Sequence, residues 1–324
     1  MPPMPHATIR AATATAPAGV GNIGVGFDLL GHVIEGPRDL ATVRVIDEPV
    51  VRIDRVSGVA RGAGDVPLEA RDNTAGRGLM ALREALGLAH GFAVELEKGI
   101  PLGSGLGGSA ASCVAALVAA NALLEAPLPP QALYPFALDG ESAASDSRQG
   151  DNVAPMLLGG AVLATAERII PLRVPDWLHC TVVHPDQMLE TRRAREVLAE
   201  PCPLARVVAH GAHLAQFLLG LERGDAELVR AGLHDVLVEP RRAPLVPGFD
   251  RVKAAALDHG ALGASLSGAG PAMFAWFESR DAAAAAAPAM RAGFIEAGFG
   301  ARAWVSPVAA AGARVELAAI GAAP

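Results

Sequence analysis

The chain has 324 residues, of which 51% are hydrophobic and 19% charged, and its formal net charge is −7. This composition excludes a largely disordered chain, and an acidic balance without a dense Lys/Arg stretch argues against a nucleic-acid binder. An anionic ligand must therefore be held by a few placed groups and not by a broad positive field.

Cysteine usage and hydropathy bear on the compartment. Cys113, Cys180 and Cys202 have a spacing that fits neither a zinc site nor a disulfide framework, which predicts a reduced, cytoplasmic environment. The N-terminus lacks a charged segment followed by an apolar one, so we expect no signal peptide. The most apolar stretch, around 110–124, is shorter than the ~20 residues that span a bilayer. We therefore expect no membrane partner.

In the N-terminal half, alternating and β-branched residues predict strands, and Ala/Leu-rich runs predict helices. The predicted elements are an extended segment at 7–16, strands within 41–56, a loop at 57–72, a helix from Asn73 to about Leu86, a strand at 92–98, a helix that begins right after the glycines of 101–112, with Ser109 at its start, and helical structure with a proline break at 128–147. Asn73 is a suitable helix cap. The helix after the glycines is apolar nearly all round, which predicts that it is buried.

In the C-terminal half, helices and strands alternate irregularly. The predicted elements are strands at 159–165 and 179–184, helices at 203–222, 225–236 and 249–258, a strand at 272–277, a helix at 280–297, and one or two strands within 302–319. Steady βαβ units are absent from this pattern, which favours an α+β fold over a doubly wound parallel sheet.

Three glycine-rich passages carry the chemistry: PAGVGNIGVGFD at 17–28, PLGSGLGGSAAS at 101–112 and SLSGAGPAMFAWF at 265–277. A glycine-rich turn at the start of a helix presents free N–H groups and the positive end of the helix dipole to an anion. The second passage has this arrangement and suggests a phosphate-binding loop, although a tight turn that merely begins a helix is the alternative. It lacks the Walker lysine, and its literal match to the dinucleotide glycine spacing has no acidic ribose partner.

Taken together and in this order, the three passages resemble the motifs of the GHMP kinases, a family named for galactokinase, homoserine kinase, mevalonate kinase and phosphomevalonate kinase. The resemblance implies an α+β, GHMP kinase-like two-domain fold. Its N-terminal nucleotide-binding domain would span 1–165, with the last strand near 306–324 returning to it. A C-terminal ferredoxin-like domain would span 166–305.

Within that family the resemblance is to members that phosphorylate homoserine. It rests on N-x-G-x-G-F-D ending at Asp28 and on the runs DNVAPMLLGGAVL at 151–163, HPDQMLETRRAREVL at 184–198 and VEPRRAPLVPGF at 238–249. It implies that ATP and L-homoserine give ADP and O-phospho-L-homoserine in threonine biosynthesis. It also implies a homodimer.

The resemblance assigns substrate residues whose chemistry suits homoserine. A carboxylate favours the planar donor fork of arginine, which fits Arg195 and Arg242, and an ammonium favours a carboxylate, which fits Asp28. The implied substrate-binding residues are Asn22, Asp28, Asn152, Thr191, Arg195 and Arg242, and the implied catalytic residues are Asn152, Arg195 and Arg242. Several relatives have an Asp base where this chain has Asn152, so we expect no strong general base.

The resemblance also assigns the nucleotide and metal sites. Ser109 and Glu141 would bind Mg²⁺, for which hard oxygen donors are suited. ATP is the implied co-substrate. Its implied binding residues are Pro101, Leu102, Gly103, Ser104, Gly105, Leu106, Gly107, Gly108, Ser109, Ala110 and Ala111.

The sequence departs from the family pattern at three places. Gly108 stands where the loop usually has a first Ser, Gln149 where a His commonly precedes the Asp-Asn pair, and 19–21 reads Gly-Val-Gly instead of Thr-Ser-Ala. Glutamine can hydrogen-bond but cannot carry a proton. These departures leave the charged residues of the implied substrate site in place, but they leave the detailed geometry of the site undetermined.

Other interpretations remain open from sequence alone. Arg195 could be a solvated charge, Asp28 the cap of a helix starting at residue 29, and Glu141 an exposed helical residue. At the level of function, the alternatives are a kinase of the same family for another substrate such as mevalonate, a non-catalytic ligand sensor, and a dinucleotide-dependent oxidoreductase. A requirement for Asp28 would distinguish a homoserine kinase from a mevalonate kinase, because mevalonate carries no ammonium.

Overall fold

The computed structural model describes residues 9–143 and 148–320, in which strands and helices alternate irregularly. The described strands are β1 (Ile9–Gly21), β2 (Leu30–Ile46), β3 (Val51–Ser57), β4 (Gly91–Glu97), β5 (Ala161–Ala164), β6 (Ile169–Pro171), β7 (His179–Pro185), β8 (Gly263–Leu266), β9 (Met273–Phe277), β10 (Ala301–Pro307) and β11 (Arg314–Ile320). The described helices are α1 (Thr74–Ala85), α2 (Gly108–Asn121), α3 (Tyr134–Glu141), α4 (Val153–Leu158), α5 (Thr191–Glu196), α6 (Leu204–Arg223), α7 (Ala226–Gly232), α8 (Glu239–Arg242), α9 (Phe249–Asp258) and α10 (Arg280–Glu296). The α+β prediction is confirmed.

The strands form two separate sheets. The first has the order β11-β1-β2-β4-β3, with β5 pairing β2 and β6, and the second has the order β10-β7-β9-β8. The β3–β4 pairing is parallel and the other pairings are antiparallel. The last described strand, β11, therefore lies on the edge of the first sheet, beside β1. The division of the chain at residue 165 stays a prediction.

Helix α2 is buried on the first sheet, as its apolar surface predicts. It packs against β1 and β2 on one side and α1 on another. Its residues from Ala110 to Leu117 are all buried. Because the helix is fixed in the core, the glycine-rich loop that leads into it has a fixed end as well.

Local chemistry explains where helices begin and end. The Asn73 side chain accepts the N–H groups of Ala75 and Gly76, so it caps α1 as predicted. The helix predicted at 225–236 is too long, because α7 ends at Gly232. The Asp235 carboxylate instead accepts three main-chain N–H groups at the start of α8, and such local bonds compete with a continuing helix.

Two further predictions need correction. The strand predicted from residue 41 begins at Leu30, and the third glycine-rich passage joins β8 to β9, not a helix to a strand. The four-residue strand β8 is too short to show a pattern in sequence. The helical segment predicted for 128–147 ends at Glu141, and 144–147 lie outside the described residues.

A buried hydrogen bond between two side chains helps to join the two sheets. Trp276 Nε1 on β9 donates to His32 Nε2 on β2 at 3.2 Å, while His32 Nδ1 lies 3.0 Å from the carbonyl of Val33. Burial lowers the pKa of His32 to about 4, so the ring is neutral. The tautomer with its proton on Nδ1 satisfies both contacts, and the bond contributes to the packing of the two sheets on each other.

Candidate active site

A glycine-rich loop connects β4 to α2 in a conformation that needs glycine. Gly103, Gly105 and Gly107 have φ angles of 61°, 77° and 70°, the left-handed region that other residues rarely adopt. Gly107 precedes α2 and provides no side-chain cap. The N–H groups of the first helical turn are therefore left for a ligand, and the positive end of the helix dipole favours an anion there.

A buried ion pair supports this loop from below. Lys98 Nζ contacts the carboxylate of Asp39 and donates to the carbonyl of Gly108 at 2.6 Å and to Ser112 Oγ at 2.8 Å. Asp39 Oδ1 accepts the two main-chain N–H groups that follow Lys98. Both charged side chains are at most 2% exposed. The network fixes both ends of the loop, and Asp39 neutralises the charge of Lys98.

The other two glycine-rich passages meet the loop at its centre. Ser267 Oγ donates to the carbonyl of Gly105 at 2.7 Å, and the N–H of Gly19 donates to the carbonyl of Leu106 at 3.1 Å. A Cβ on Gly105 would lie 2.4 Å from the carbonyl oxygen of Ser267. The three motifs that are remote in sequence thus form one structural unit.

The turn between β1 and β2 is strained. Asn22, Ile23 and Asp28 have φ angles of 69°, 40° and 58°, and non-glycine residues in this region concentrate at functional sites. Asn22 holds the turn together: its Oδ1 accepts the N–H of Asp28 at 2.9 Å, and its Nδ2 donates to the carbonyl of Gly268 at 2.9 Å. A strand follows at Leu30, so Asp28 is not a helix cap.

Asp28 lies in a network with Arg195 and Gln149. Two guanidinium nitrogens of Arg195 lie 3.2 and 3.3 Å from the carboxylate oxygens of Asp28. Gln149 Nε2 donates to Asp28 at 2.7 Å, and Gln149 Oε1 accepts from Arg195. The guanidinium carbons of Arg195 and Arg242 lie 5.7 and 5.1 Å from the centre of the Phe27 ring. The two arginines therefore share one aromatic surface.

Arg242 is the most buried cation of the cavity wall, with 2% of the residue exposed. Its Nε donates to the carbonyl of Ala194 at 2.9 Å and one terminal nitrogen donates to that of Gly268 at 3.1 Å. Burial, then the charge of Arg195, lowers its pKa to about 10. The side chain is thus a fixed, protonated donor at neutral pH with unused N–H groups for an anion.

Two carboxyl groups in the cavity have raised pKa values. Ser109 Oγ donates to Glu141 Oε2 at 3.2 Å, and Glu141 Oε1 has no hydrogen-bond partner within the described chain. Burial raises the pKa of Glu141 to about 7. Burial and the charge of Asp28 raise the pKa of Asp151 to about 7 as well. Asn152 Oδ1 is also buried without a partner among the described residues.

These groups line one cavity of about 560 Å³. It brings together most of the predicted residues: Asn22, Asp28, Pro101, Leu102, Gly103, Ser104, Gly105, Gly107, Gly108, Ser109, Glu141, Asn152, Thr191, Arg195 and Arg242. Leu106, Ala110 and Ala111 do not line it, because their side chains are buried in the core. The N–H of Ala111 already donates to the carbonyl of Gly107. Any ATP contact of these three residues would need main-chain groups.

Sequence reasoning did not assign several other lining residues. Met188, Leu189, Glu190 and Arg192 line the cavity, and although they lie in the run at 184–198, the resemblance assigns them no role. The N–H of Leu189 donates to the carbonyl of Gly103 at 3.0 Å, which places this segment against the loop. Gln149 and Asp151 also line the cavity, and their burial and charge partners are visible only in three dimensions.

Comparison with known proteins bears on the family. The model of the GHMP kinases N terminal domain matches residues 73–160, and the model of the GHMP kinases C terminal matches residues 217–296. The chain is 58% identical over 307 residues to a homoserine kinase from Xanthomonas campestris pv. campestris (strain B100), covering 95% of this chain and 94% of the relative. The chain belongs to the GHMP kinases.

Solved structures agree with this family and its two-domain fold. The crystal structure of homoserine kinase from Cytophaga hutchinsonii is 40% identical with a TM-score of 0.90, covering 94% of this chain and 97% of that one. The L. major mevalonate kinase, solved in complex with R-mevalonate, is 16% identical with a TM-score of 0.67 over 92% and 96% of the two chains. That second similarity concerns the fold alone. The predicted family resemblance is confirmed.

In this GHMP kinase the buried Asp151 is expected to make stability depend on pH. Its pKa is about 7 in the folded chain and 3.8 in the reference state, so the folded state prefers the protonated form. The contribution of Asp151 to stability should fall as pH rises from about 4 to above 7, because the charged form is disfavoured by burial. Asp151→Asn should remove on the order of 2–4 kcal/mol of this loss.

Urea unfolding of both proteins across this pH range measures the effect. The stability gain of the Asn variant over wild type should be smallest at the acidic end and grow toward alkaline pH. A gain that is constant with pH would mean that Asp151 titrates as in the unfolded chain. Asp258→Asn changes an exposed carboxylate on α9 and is the matched control. The difference in stability between this variant and wild type should change little with pH.

Proposed function

We propose that this GHMP kinase transfers the γ-phosphate of ATP to the hydroxyl of L-homoserine, giving ADP and O-phospho-L-homoserine for threonine biosynthesis. The observation that carries the proposal is a single cavity lined by two features. One is the Asp28–Arg195 ion pair, and the other is the glycine-rich loop at the start of α2. Relatives at 58% and 40% identity that bear the name homoserine kinase support it. We further propose that the enzyme acts in the cytoplasm as a homodimer, with an N-terminal nucleotide-binding domain that ends near residue 165.

The Asp28–Arg195 pair suits a zwitterionic amino acid. The two side chains are 27% and 31% exposed, and an ion pair of this exposure contributes little stability. The ammonium of homoserine can replace Arg195 as the partner of Asp28, while the carboxylate of homoserine binds the guanidinium groups of Arg195 and Arg242. Gln149 contacts both members of the pair and holds them in place during this exchange. Mevalonate lacks an ammonium and would leave Asp28 without a partner.

The proposed phosphate site lies at the start of α2. The uncapped N–H groups after Gly107 and the hydroxyl of Ser104 face the cavity and would hold the β- and γ-phosphates. Lys98 is excluded as a phosphate ligand, because its ammonium is buried against Asp39. The positive charge that meets the nucleotide must come from the helix dipole, from arginine or from a metal ion.

Ser109 and Glu141 fit the Mg²⁺ that a kinase of this family is expected to use. They provide two hard oxygen donors 3.2 Å apart, and Glu141 Oε1 lacks a partner among the described residues. Mg²⁺ is usually bound by one or two carboxylates together with substrate phosphates. Within the described chain no cluster of three or more acidic, His or Cys residues could hold a metal without such phosphates. When bound, the ion would neutralise charge on the phosphates.

The mechanism follows from positioning. Phosphoryl transfer passes through a loose transition state that needs alignment and charge stabilisation more than covalent help. Arg195, Arg242 and Asp28 would fix the amino-acid end of the substrate, and the free Oδ1 of Asn152 would accept a hydrogen bond from its hydroxyl. An amide cannot take up a proton, so Asn152 orients the nucleophile without acting as a base.

The test measures ADP release from Mg-ATP with L-homoserine, mevalonate or galactose. Homoserine should be turned over and the other two should not. In Asp28→Asn the KM for homoserine should rise roughly 10–150-fold, because a charged hydrogen bond to the ammonium is lost. Asp258→Asn, on α9 and not among the residues that line the cavity, should behave as wild type.

The remaining outcomes separate the alternatives. Turnover with mevalonate or galactose but not with homoserine would support kinase activity and reject homoserine as the substrate. If none of the three compounds gave ADP release but calorimetry still showed homoserine binding, the result would support a ligand sensor. A normal KM for homoserine in Asp28→Asn would reject the proposed ammonium site.

A further inference from the structure

Helix α8 carries Arg242, and it is too short to be stable by itself. It consists of the four residues Glu239–Arg242, and one of them is Pro240, which has no N–H to donate. A single helical turn fixes several backbone dihedral angles for one hydrogen bond, so it forms only where other groups hold it. The direction in which Arg242 points is therefore set by the groups that hold this turn.

The main chain of the turn is held by Asp235 and by one carbonyl group. Asp235 Oδ1 accepts two main-chain N–H groups at 2.8 and 3.0 Å, and its Oδ2 accepts a third at 2.8 Å. The three donors are Leu237, Val238 and Glu239. The two N–H groups that follow Pro240 donate to the carbonyl of Val238. Every main-chain N–H from residue 237 to residue 242 thus has a partner.

Asp235 is buried, and among the described residues its carboxylate forms hydrogen bonds with this segment alone. The residue is 5% exposed. His210 Nδ1 lies 3.5 Å from Asp235 Oδ1 but forms no hydrogen bond with a described residue. Asp235 does not line the cavity of 560 Å³. It lies instead on a small second cavity, and Arg242 lines both. Asp235 can therefore act on a substrate only through another residue.

The charge of Asp235 acts on the same arginine. Burial, and after it the charge of Arg195, lowers the pKa of Arg242 to about 10, and three carboxylates oppose this change. They are Asp28, Asp235 and Asp151. Asp28 and Asp151 line the larger cavity, whereas Asp235 does not. Asp235 would therefore keep its interaction with Arg242 after an ammonium group has bound to Asp28.

Other side chains fix α8 to its surroundings independently of this cap. Glu239 pairs with Lys253 on α9. Arg241 donates to three carbonyls at 3.3, 2.9 and 3.2 Å, those of Leu198, Glu200 and Pro201. Loss of the cap should consequently loosen the main chain of the turn without detaching α8 from the rest of the protein.

We propose that Asp235 is a positioning residue for the substrate carboxylate, because its cap of α8 fixes the direction in which Arg242 presents its guanidinium to the cavity. This inference rests on the proposed function, which places the carboxylate of homoserine on Arg242. The alternative is that Asp235 only stabilises the fold, as helix caps commonly do. Asp225 provides the comparison, since its Oδ1 caps α7 by accepting two N–H groups and it lines neither cavity.

Steady-state kinetics test the proposal. Asp235→Ala should raise the KM for L-homoserine roughly 10–100-fold, because a displacement of about 1 Å in a positioning group has an effect of this size. The KM for Mg-ATP should not change. Asp235→Asn keeps one acceptor oxygen but turns an amide donor toward a main-chain N–H, so its KM should lie between those of wild type and Asp235→Ala. A wild-type KM for homoserine in Asp235→Ala, or an equal rise in the KM for ATP, would overturn the proposal.

Asp225→Ala is the matched control. It removes a cap of the same kind, so it should lower stability in urea unfolding while leaving the KM for homoserine as in wild type. A rise in this KM equal to that of Asp235→Ala would mean that the effect comes from loss of a helix cap in general, and the proposal would fail.

Combination with Arg242→Ala shows whether Asp235 acts through that arginine. In Asp235→Ala/Arg242→Ala the KM for homoserine should be no higher than in Arg242→Ala, because the group that Asp235 positions is gone. Effects that multiply would place the action of Asp235 elsewhere and reject the proposal. Circular dichroism shows whether each variant is folded. If Asp235→Ala does not fold, the same comparison with Asp235→Asn decides the question.

A measurement without substrate separates this inference from the proposed function. In protein labelled with 15N-arginine, the Nε–H of Arg242 that donates to the carbonyl of Ala194 should exchange slowly with water, and Arg242→Lys identifies its signal by removing it. Asp235→Ala should speed this exchange roughly tenfold or more, and Asp225→Ala should not. Unchanged exchange would overturn the inference whether or not the wild type phosphorylates homoserine. Faster exchange in Asp235→Ala, with no homoserine turnover by the wild type, would reject the proposed function and retain the positioning of Arg242 by Asp235.

Discussion

Replacing Arg242 by alanine is expected to lower kcat/KM for L-homoserine by roughly 10³-fold, within the 2–5 kcal/mol lost when one partner of a buried charge pair is removed. The guanidinium lies at the wall of the cavity, 2% exposed, and is aimed by the carbonyls of Ala194 and Gly268. Its loss leaves the substrate carboxylate without its most desolvated partner. The measurement is ADP release at varied homoserine with saturating Mg-ATP.

Two variants show whether the effect comes from the donor fork. Arg242→Lys keeps the charge but loses the planar geometry, so its rate should lie between wild type and alanine. Arg193→Ala, an exposed arginine on α5 that does not line the cavity, should leave both constants unchanged. If Arg242→Ala raised the KM for ATP and left that for homoserine intact, the carboxylate assignment would be wrong.

Replacing Lys98 by methionine is expected to lower the free energy of unfolding by about 3–5 kcal/mol, the usual loss when one member of a buried ion pair is removed. Asp39 would be left in the core without its cation. The carbonyl of Gly108 and the hydroxyl of Ser112 would also lose a donor. Because these groups hold the start of α2, the KM for ATP should rise as well. Urea unfolding followed by circular dichroism measures the stability.

A double variant isolates the charge. In Asp39→Asn/Lys98→Met the uncompensated carboxylate is gone, while the amide oxygen can still accept the N–H groups of Gly99 and Ile100. Most of the lost stability should return. A single variant that loses less than about 1 kcal/mol would mean that water reaches Asp39 and that the pair is not desolvated as the structure indicates.

The parts of the fold that could be predicted from sequence are those with local chemical signatures. Asn73 caps α1 because an Asx side chain before an apolar run satisfies free N–H groups. The glycines at 103–107 indicate a loop of left-handed residues because other side chains are excluded there. The apolar composition of α2 predicts its burial, and the motif resemblance identified most of the residues that line the cavity.

The remaining features depend on contacts between distant residues. Lys98 and Asp39 are 59 positions apart, and neither stands in a pattern that marks it as buried. Gln149 bridges Asp28 and Arg195 only because three separate loops meet at the cavity. Met188 and Arg192 line it for the same reason. An apolar helix in the core and one on the surface share the same composition, so the exposure of α6 was not predictable.

The pairing of β1 with β11 has a consequence for folding, because the two strands lie far apart along the chain. β1 lies between β2 and β11, with Ile9 opposite Ile320, and α2 packs against β11 as well. The sheet is therefore complete only when strands from both ends of the described chain have paired, and such non-local pairing forms slowly. Until β11 pairs, β1 exposes an edge that invites wrong pairing with other chains. A chain in which β11 fails to pair would keep most of the residues that line the cavity, but it would lack one edge of the sheet on which α2 packs.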